Sequence, residues 1–438
     1  MKQSELELLF DRLFPLARSI SGNGLRESLE IIREYIPLEI VEYPSGMKCF
    51  DWTVPDEWNI RDAYIKDPSG TKIIDFKKNN LHLMGYSIPF SGLMELDDLK
   101  KHIHTLPDNP DAIPFVTSYY KRDWGFCMSH RTLEELKSGK YEVLIDSTLS
   151  PGSVSTGQLF IKGKSKKEVL LFSHIGHPSL ANDQLSGPVT LTSIAKWLHG
   201  MGSTPFYSYR IVLAPETIGS ISFIKKNKKH LKRNCIGGYT IVNTADNGNL
   251  TFRKSKKPGS LTDIAMLNAL AETESEYTAT DFYPMGCDER HFNSHGIGIP
   301  VSSIMRTPPG EYPEYHTSLD NKEYISFYKM NSTVELVKKA ILNLESNCRI
   351  YAIHKNCEPK LDKYGLYPTT SNRATRNKEL EILITIWSLA DGRLLSEVAD
   401  TLGISIIKAR EYADMLAKSK IIKIKEATGN QQVNCILL

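Results

Sequence analysis

The sequence predicts an α/β fold built on a doubly wound, largely parallel sheet, with an inserted mainly-β domain and a C-terminal winged helix-turn-helix. The length of 438 residues leaves room for two or three domains. Beyond Gly139, near-continuous apolar runs alternate with helical patterns, which indicates a sheet covered by helices on both faces. Short β-type runs separated by turns precede this region. We therefore assign 1–45 and 136–360 to a main domain, 46–135 to the inserted domain and 375–438 to the winged helix.

Periodicity predicts the individual elements in order along the chain. Leu6, Leu9 and Phe10 lie on one face of an amphipathic helix over 4–19, and a second helix follows at about 25–35. The inserted domain shows β-type runs at 50–55, 73–74, 81–83 and 115–117. Strands of the main sheet are predicted at 142–146, 168–173, 209–214, 238–243 and 300–305. Helices are predicted near 186–199, 219–230, 261–272 and 323–345.

Composition excludes several classes of protein. The chain carries 54 lysines and arginines against 51 acidic residues, a net charge of +3, which excludes a disordered polyelectrolyte and gives no bulk attraction to nucleic acid or membrane. Seven scattered cysteines without a Cys-x-x-Cys pair argue against a disulfide framework and a thiolate zinc site. No apolar run approaches the roughly 18 residues of a membrane span. We therefore expect a cytoplasmic protein that does not bind membranes.

Imidazoles and carboxylates follow four of the predicted strands. Ligands collect at the carboxyl ends of parallel strands, so side chains at these positions are expected to share one edge of the sheet. Imidazole nitrogens and carboxylate oxygens suit zinc, which binds them at about 2.0–2.2 Å and keeps a position for water in catalytic sites. The side chains in question are His174, His177, Asp183, Glu216, Asp246, His316 and Asp320.

Motifs along the chain occur in an order that resembles a known group of enzymes. The general pattern is His177, Asn182-Asp183-x-x-Ser186-Gly187, Glu216 three residues before Gly219-Ser220, Asp246, Cys287-Asp288 and His316-Thr317-x-x-Asp320. It resembles the co-catalytic zinc aminopeptidases of the clan that also contains glutaminyl cyclase. The closer similarity is to a bacterial branch of aminopeptidase-like proteins that often accompany surface-polysaccharide biosynthesis genes and carry an inserted β domain and a C-terminal winged helix. That similarity lies in Arg18-Ser19-Ile20-Ser21-Gly22-Asn23-Gly24, Phe50-Asp51-Trp52, Cys287-Asp288-Glu289-Arg290 and 310–317, and it covers essentially the whole chain.

The resemblance implies roles for individual residues. His177 matches a ligand of the first zinc, and Asp183 matches the carboxylate that bridges two metals. Asp246 matches the far carboxylate of the first metal. His316 matches a ligand of the second metal, and Asp320 would orient the His316 imidazole.

The sequence departs from the pattern of these peptidases at two positions. Glu216 matches the general base, but the related enzymes usually have a second acidic residue directly after it, where this chain has Thr217. They also place an aspartate two residues after the first histidine, where this chain has Ser179. These departures leave open one zinc ion or a weakly held second one, and Glu216 could itself become a ligand. His174 stays an alternative to His177 as ligand because it lies nearer the strand end.

Ordinary structural roles compete for some of these residues. Asp183 could cap the following helix, and Asp246 could belong to a tight Asp-Asn-Gly turn. The cluster of charges at 288–290 could be solvated, or it could bind an amino group or a carboxylate of the substrate. The residues that we expect to bind substrate or to support the metal ligands are His174, Asp288, Glu289, Arg290, Tyr312 and Asp320.

The C-terminal segment has the spacing of a winged helix-turn-helix. The pattern predicts a helix at 378–390, a helix with glycine turn and N-cap over 396–405, a second helix at 406–418 and a wing strand at 420–425. Eight basic and eight acidic residues balance from 377 onward, and Glu411 and Asp414 lie on the expected recognition helix. Because a DNA-binding module usually has a basic surface, this balance favours protein packing or homo-oligomerisation over DNA binding.

Together these features predict a zinc-dependent hydrolase of aminopeptidase type. Its substrate would be an amide at the amino end of a peptide, or an aminoacyl or acylamino-sugar conjugate, the latter from the polysaccharide association alone. Metal-activated water would attack the carbonyl carbon while Glu216 transfers the protons. Two alternatives stay open: an acyltransferase like glutaminyl cyclase, and a regulator in which the winged helix binds DNA and the peptidase-like domain senses a ligand.

Overall fold

The order of helices and strands follows the predicted alternation. The structure is a computed structural model that describes residues 1–273, 276–366 and 378–427. Its helices are α1 Gln3–Leu13, α2 Asn23–Arg33, α3 Leu96–Leu99, α4 His130–Glu134, α5 Ser186–His199, α6 Ile218–Asn234, α7 Leu261–Ala271, α8 Glu289–Phe292, α9 Phe327–Ser346, α10 Lys378–Ser388, α11 Leu395–Leu402 and α12 Ile406–Lys418.

Nineteen strands are defined within the described residues. They are β1 Glu39–Pro44, β2 Lys48–Cys49, β3 Trp52–Thr53, β4 Glu57–Lys66, β5 Lys72–Asp75, β6 Phe90–Glu95, β7 Ile103–His104, β8 Phe126–Cys127, β9 Lys140–Ser150, β10 Ser153–Ile161, β11 Glu168–His174, β12 Ser208–Ala214, β13 Cys235–Ile241, β14 Leu250–Arg253, β15 Tyr277–Thr280, β16 Val301–Met305, β17 Cys348–Ala352, β18 Asp391–Leu394 and β19 Ile422–Glu426.

The backbone divides into two units. The first comprises the described residues within 1–256 and 276–335, and the second those within 257–273 and 336–427. The domain boundaries that the sequence suggests after 45, 135 and 360 stay predictions, and the one at 375 lies outside the described residues.

The first unit is built on an eight-stranded mixed sheet in the order β1-β10-β12-β11-β13-β16-β14-β15. Its four central strands, β12, β11, β13 and β16, are parallel to one another. Antiparallel pairings of β10 with β12 and of β14 with β16 extend the sheet on both sides. The predicted α/β fold with a largely parallel sheet is therefore confirmed, and its parallel part is the centre.

The register of the central strands places the predicted site residues at one edge. His174, the last residue of β11, pairs with Ala214, the last residue of β12. The amide of Ile175 also donates to the carbonyl oxygen of Ala214 at 2.9 Å. The loops that carry His177 and Glu216 therefore leave the sheet side by side, as expected for the carboxyl ends of parallel strands.

The strand predicted at 142–146 does not belong to the main sheet, so that assignment was wrong. It forms part of β9, which pairs antiparallel with β4 and β6 in a second, four-stranded sheet of order β5-β4-β9-β6. Buried and more exposed residues alternate along most of β9. This period of two is typical of an antiparallel strand with one face on a core, rather than of a strand buried on both faces.

Three shorter predictions also differ from the structure. The run at 81–83 falls largely in a 3₁₀ turn, Asn80–His82, because the side chain of Asn79 accepts a hydrogen bond from the Leu81 amide. The run at 115–117 contributes one isolated bridge, Gly85 to Thr117. Helix α1 ends at Leu13 rather than near 19, two residues before Pro15, which has no N–H to continue it.

The second unit contains the predicted winged helix. Strands β18, β17 and β19 form an antiparallel sheet in that order, and α10, α11 and α12 share a hydrophobic core with it. Gly403 adopts a left-handed conformation at the end of α11, and the Ser405 side chain caps α12 through the Lys408 amide. Among the described residues, no helix combines the length and apolar character that a bilayer-crossing segment requires.

Candidate functional site

Three of the predicted metal ligands converge at the carboxyl edge of the central strands. Ligand atoms of His177, Asp183 and His316 lie within 4.8 Å of one another, and we call this set the first cluster. Asp183 Oδ2 lies 3.0 Å from His316 Nε2, yet this buried oxygen meets no partner in hydrogen-bond geometry. Buried polar atoms are nearly always hydrogen-bonded, and an ion is one accepted reason for an exception. Two imidazoles and a carboxylate are a donor set that suits zinc.

His177 is oriented by Gln184, a residue that the sequence analysis missed. Gln184 Oε1 accepts hydrogen bonds from His177 Nδ1 and from the His177 amide, both at 2.5 Å. Its amide nitrogen donates to the His174 carbonyl oxygen at 2.6 Å, which fixes the orientation of the group. Nδ1 therefore carries the proton, and Nε2 keeps the lone pair that a metal requires. Gln184 thus takes the place of the carboxylate missing at Ser179.

Aromatic rings pack against the first cluster, and its charged groups shift one another's pKa values. The Phe115 ring packs edge-on against both imidazoles, and the Tyr315 ring stacks on His316 at 4.0 Å. Burial lowers the pKa of His177 to about 4, so this imidazole is neutral near pH 7. Burial also opposes the charge of His316, but contact with the Asp183 carboxylate raises its pKa overall. In return, the pKa of Asp183 falls to about 2 because the imidazoles outweigh its burial.

Glu216 lies beside the first cluster, at the mouth of a cleft. Its Oε2 is 3.9 Å from His177 Nε2, and its Oε1 is 3.5 Å from Arg290 Nη2. Among the described residues, its carboxylate accepts no hydrogen bond from the first amides of α6, so it does not cap that helix. The adjoining cleft has a volume of about 210 Å³, and its lining is Ile20, Trp52, Tyr119, Tyr120, Gly176, His177, Glu216, Thr217 and Ile218.

Thr217 holds the turn after Glu216 in an unusual conformation. Its φ is +62°, which is rare for a β-branched residue. Its amide donates to Asp288 Oδ1 at 2.8 Å, and its hydroxyl accepts from Arg290 Nη2 at 3.2 Å. Backbone strain of this kind persists where surrounding contacts enforce it, often at functional sites. Asp288 and Arg290 therefore fix the direction of the Glu216 side chain.

A second group of candidate ligands, His174, Cys287 and Asp288, lies at the same edge, and we call it the second cluster. His174 Nε2 donates to the Asp183 carbonyl oxygen at 2.8 Å, which leaves the lone pair of Nδ1 facing Cys287 Sγ at 3.2 Å. Asp288 Oδ1 accepts from the Ser220 hydroxyl at 2.5 Å. Burial, with a further contribution from Glu216, raises the pKa of Asp288 to about 6. The structure thus brings His177, not His174, together with Asp183 and His316.

Asp246 and Asp320 lie behind the loop that carries Asp183. Asp246 accepts from the side chain of Asn182 at 2.9 Å and from the Gly248 amide at 2.7 Å, and it is not part of the first cluster. The Asp320 carboxylate was expected to orient His316. Its oxygens instead accept from the Asn182 amide at 2.6 Å and the Asp183 amide at 2.9 Å. Asp320 therefore positions Asp183 through its backbone amide, and Asp246 holds the side chain of the preceding Asn182.

The remaining predicted residues are spread around the two clusters. Glu289 is buried and its Oε1 accepts from the Cys287 amide at 3.2 Å. Tyr312 is buried, with its ring stacked on Tyr324 at 5.5 Å, and burial raises the pKa of its hydroxyl. Among the predicted candidates at 288–290, only Arg290 combines partial exposure with contact to Glu216.

Several contributors to the site were not identified from the sequence. Gln184 directly follows Asp183 in the Asn-Asp-x-x-Ser-Gly motif. Because Ser179 leaves His177 without the usual carboxylate partner, the sequence did contain a signal that another polar residue must orient this imidazole. Arg18, from the N-terminal motif, is buried and donates from Nε to the His177 carbonyl oxygen at 3.1 Å. Trp52 belongs to a motif that was recognised, but nothing in the sequence connected that motif with the cleft.

Comparisons with known proteins agree with this architecture. A family model described as domain of unknown function DUF4910 matches residues 7–347, and a winged helix-turn-helix model matches residues 349–424. A Clostridium acetobutylicum protein named "Putative polysaccharide biosynthesis protein with aminopeptidase-like domain" is 40% identical over 421 residues, which is 96% of each chain.

Solved structures show the same fold. The crystal structure titled "putative peptidase" from Clostridium acetobutylicum has a TM-score of 0.89 and 39% identity, with 96% of both chains covered. A zinc aminopeptidase from Bacillus subtilis has a TM-score of 0.55 and 13% identity, covering 77% of this chain and 93% of that one. An aminopeptidase from Aneurinibacillus sp. strain AM-1 has a TM-score of 0.51 and 12% identity, covering 78% and 94%. At such identities the last two show the fold alone.

Proposed function

The chain belongs to the family described as domain of unknown function DUF4910, and from this premise we propose that it is a zinc-dependent amide hydrolase of aminopeptidase type. One observation carries the proposal. The first cluster gathers two imidazoles and a buried carboxylate whose ligand atoms lie within 4.8 Å of one another, with Glu216 3.9 Å from one imidazole and a cleft beside it.

We assign the metal to His177, Asp183 and His316, and we propose one zinc ion. Zinc bound there would act as a Lewis acid and lower the pKa of a bound water. A second ion is disfavoured because Thr217 replaces the usual carboxylate. Asp246 is also disfavoured as a ligand, because its carboxylate already accepts hydrogen bonds from Asn182, Gly248 and Thr307.

Glu216 is the general base of the proposed reaction. Its carboxylate takes the proton of the attacking water and then passes that proton to the leaving amine. Arg290, 3.5 Å from Oε1, offsets the charge of Glu216 and holds its carboxylate towards the cleft. The rigid turn at Thr217 supports the same placement, since a general base must remain within hydrogen-bond reach of its proton.

The substrate of the proposed hydrolase is an amide next to a small ring or apolar group. The walls of the cleft include Trp52, Tyr119 and Tyr120, and aromatic walls suit either a side chain of a peptide's first residue or a sugar ring. The name of the Clostridium acetobutylicum relative refers to polysaccharide biosynthesis, which supports an aminoacyl or acylamino-sugar conjugate over a simple peptide.

The proposal is tested by amine release from two panels, aminoacyl p-nitroanilides and N-acylated amino sugars. A zinc chelator should abolish release, and added zinc should restore it. Release that is unaffected by removal of zinc would contradict the metal assignment. A cyclised product without hydrolysis would instead assign the site to an acyltransferase.

For the winged helix we propose protein packing rather than DNA binding. On α12, Arg410 is paired with Asp414 at 3.0 Å and with Glu426 at 2.9 Å, so this cation is already neutralised. Met415 on the same helix is 42% exposed. In the full chain, Met415→Glu is expected to lower the mass seen by light scattering if this surface forms a dimer. A mass unchanged by this substitution in a dimeric chain would contradict that role for α12.

A further inference from the structure

A continuous basic surface covers the second half of α6 and the loop between β10 and β11. We call it the lysine patch, and it comprises Lys162, Lys164, Lys166, Lys167, Lys225, Lys226, Lys228, Lys229, Lys232 and Arg233. The two segments are in contact, since Lys167 Nζ donates to the Arg233 carbonyl oxygen at 2.8 Å. The loop is also fixed, because the amides of Lys164 and Ser165 donate to the backbone oxygens of Pro205 and Phe206.

The acidic residue next to the lysine patch in the chain is the buried Glu168, and its carboxylate pairs with Arg210 and His230 rather than with a residue of the patch. Among the described residues, none of its ten side chains forms an ion pair with a carboxylate, and neither segment contains an acidic residue. Some exposed lysines elsewhere are paired with carboxylates, for example Lys77 with Asp62 and Lys101 with Asp98. Ten of the chain's 54 lysines and arginines lie in the patch, which leaves 44 against 51 acidic residues elsewhere. The overall charge of +3 therefore hides a strong local field.

Spacing along α6 places the cations in rows. Lys225, Lys229 and Lys232 are separated by four and three residues, so they lie above one another on the same helix face. Eight helical rises separate the first and last cations of this segment, a distance of about 12 Å. The loop lysines adjoin the end of α6 through the contact at Arg233. A linear partner with repeated negative charges matches such a stripe better than a single anion does.

The patch begins close to the cleft. The ammonium groups of Lys225 and Lys228 lie 5.3 and 5.5 Å from the centre of the Phe50 ring. Phe50 is two residues from Trp52, which lines the cleft, and α6 itself starts two residues after Glu216. The seven residues of α6 that precede Lys225 are buried, so the patch connects with the cleft through the contact of Lys225 and Lys228 with Phe50, which is close in the chain to Trp52.

We propose that the lysine patch binds an anionic polysaccharide, a chain of sugar units that carry carboxylate groups. Its role in presenting a sugar-linked amide to the cleft rests on the proposed function, whereas the binding itself does not. Lysine ammonium groups act as mobile point charges that adapt to carboxylates spaced along a flexible chain. Affinity then comes from many weak, screened attractions rather than from one built pocket.

Two other polyanions fit the patch less well. Nine of its ten cations are lysines, whereas recognition of bases and phosphates in nucleic acids relies heavily on the bidentate geometry of arginine. Peripheral membrane binding combines basic residues with apolar anchors that enter the lipid. Here Tyr43 is buried, and the ring of Phe50, although 48% exposed, is already contacted by the ammonium groups of Lys225 and Lys228, so vesicles are kept as a competing partner in the test.

The test measures binding of the full chain to oligogalacturonate of fixed length. The patch variant carries K225Q, K226Q, K229Q and K232Q. The matched control carries K77Q, K101Q, K121Q and K140Q, which remove the same charge from lysines that are paired with carboxylates. Melting temperatures of all three proteins establish that they are folded. Neutral dextran, duplex DNA and vesicles containing phosphatidylserine serve as competing partners.

The patch variant is expected to bind oligogalacturonate at least about tenfold more weakly, while the control stays within about twofold. The loss of wild-type affinity between about 50 and 200 mM salt should also become shallower in the patch variant. The proposal is overturned if wild type does not bind, if both variants lose affinity equally, or if the patch variant binds as well as wild type. Tighter patch-dependent binding to DNA or to vesicles would assign the surface to those partners instead.

Discussion

The first and second clusters lie at the same edge of one sheet and contain similar side chains, yet their hydrogen bonding differs. In the first cluster, Asp183 Oδ2 faces the imidazole of His316 without a hydrogen bond. In the second, Asp288 accepts from the Thr217 amide and the Ser220 hydroxyl, and its other oxygen lies 3.5 Å from Cys287 Sγ. The second cluster is satisfied from within the protein, whereas the first is not.

This difference in hydrogen bonding indicates that the first cluster is suited to bind an ion, whereas the second is suited to hold neighbouring residues in place. A group of side chains that bond one another has little to gain from an ion, whereas Asp183 Oδ2 has only the His316 imidazole beside it, and that imidazole is itself a possible ligand. The second cluster contacts the turn that carries Glu216, so it is suited to hold the base in place. We expect substitutions in the first cluster to remove metal, and substitutions in the second to leave the metal bound.

The largest effect is expected from His316→Ala. Removal of one of the three proposed zinc ligands should lower the zinc content of the purified protein to near zero, because two ligands hold zinc poorly. The fold should persist, since the core does not depend on the site. Elemental analysis and circular dichroism measure both. His295→Ala, an exposed histidine, is the control, and zinc that stays bound in His316→Ala would remove this residue from the site.

Glu216→Gln should reduce turnover by roughly 10² or more, with zinc content and melting temperature unchanged, because it keeps the shape of the side chain but not its basicity. Steady-state rates on any substrate that the wild type cleaves provide the measurement. Glu135→Gln, at an exposed position, should have no effect. Wild-type turnover in Glu216→Gln would exclude a general base at this position. Loss of zinc together with activity would show that Glu216 is a ligand.

Gln184→Ala tests whether orientation of a ligand matters in the first cluster, since Gln184 orients the imidazole of His177 without belonging to the proposed ligand set. Removal of such a partner typically weakens metal affinity by about 10- to 100-fold. Competition with a chromophoric zinc chelator measures the affinity, and Gln3→Ala on the surface is the control. An unchanged zinc affinity would mean that the hydrogen bond to Nδ1 does not matter for metal binding.

Cys287→Ser should have the smallest effect. The hydroxyl can still meet His174 Nδ1, so zinc content should stay at the wild-type level and stability should fall by about 1 kcal/mol or less. Chemical denaturation and elemental analysis measure these quantities, with the exposed Cys357→Ser as the control. A fall in zinc content would show that the second cluster, rather than the first, binds the metal.

Much of the fold could be read from the sequence because central strands carry their own pattern. Strands β11, β12, β13 and β16 are buried along nearly their whole length, and each was located within a few residues. Assignment of β9 failed because the short segment at 142–146 was read without the alternation of the full strand, and its pairing with β4 and β6 places it in the second sheet. Such pairing depends on contacts between distant residues, which periodicity does not record.

The sequence predicted which residues form the candidate site but not which hydrogen bonds they make. His177, Asp183, His316 and Glu216 were all proposed from their positions after strands, and the structure brings them together. The hydrogen bonds of Asp320 could not be predicted, since its carboxylate reaches the amides of a loop about 140 positions earlier in the chain. The sequence likewise could not decide between His174 and His177 as ligand, because that choice depends on which ring nitrogen of each histidine is hydrogen-bonded to a neighbouring residue.

The position of a bound zinc ion tests the assignment of the first cluster most directly. Crystals of the purified chain, measured on both sides of the zinc absorption edge, would locate the ion by anomalous scattering. We predict one peak within about 2.0–2.2 Å of a ring nitrogen of His177, Asp183 Oδ2 and His316 Nε2. A peak between His174, Cys287 and Asp288 instead, or no zinc peak in fully loaded protein, would contradict the assignment of the first cluster.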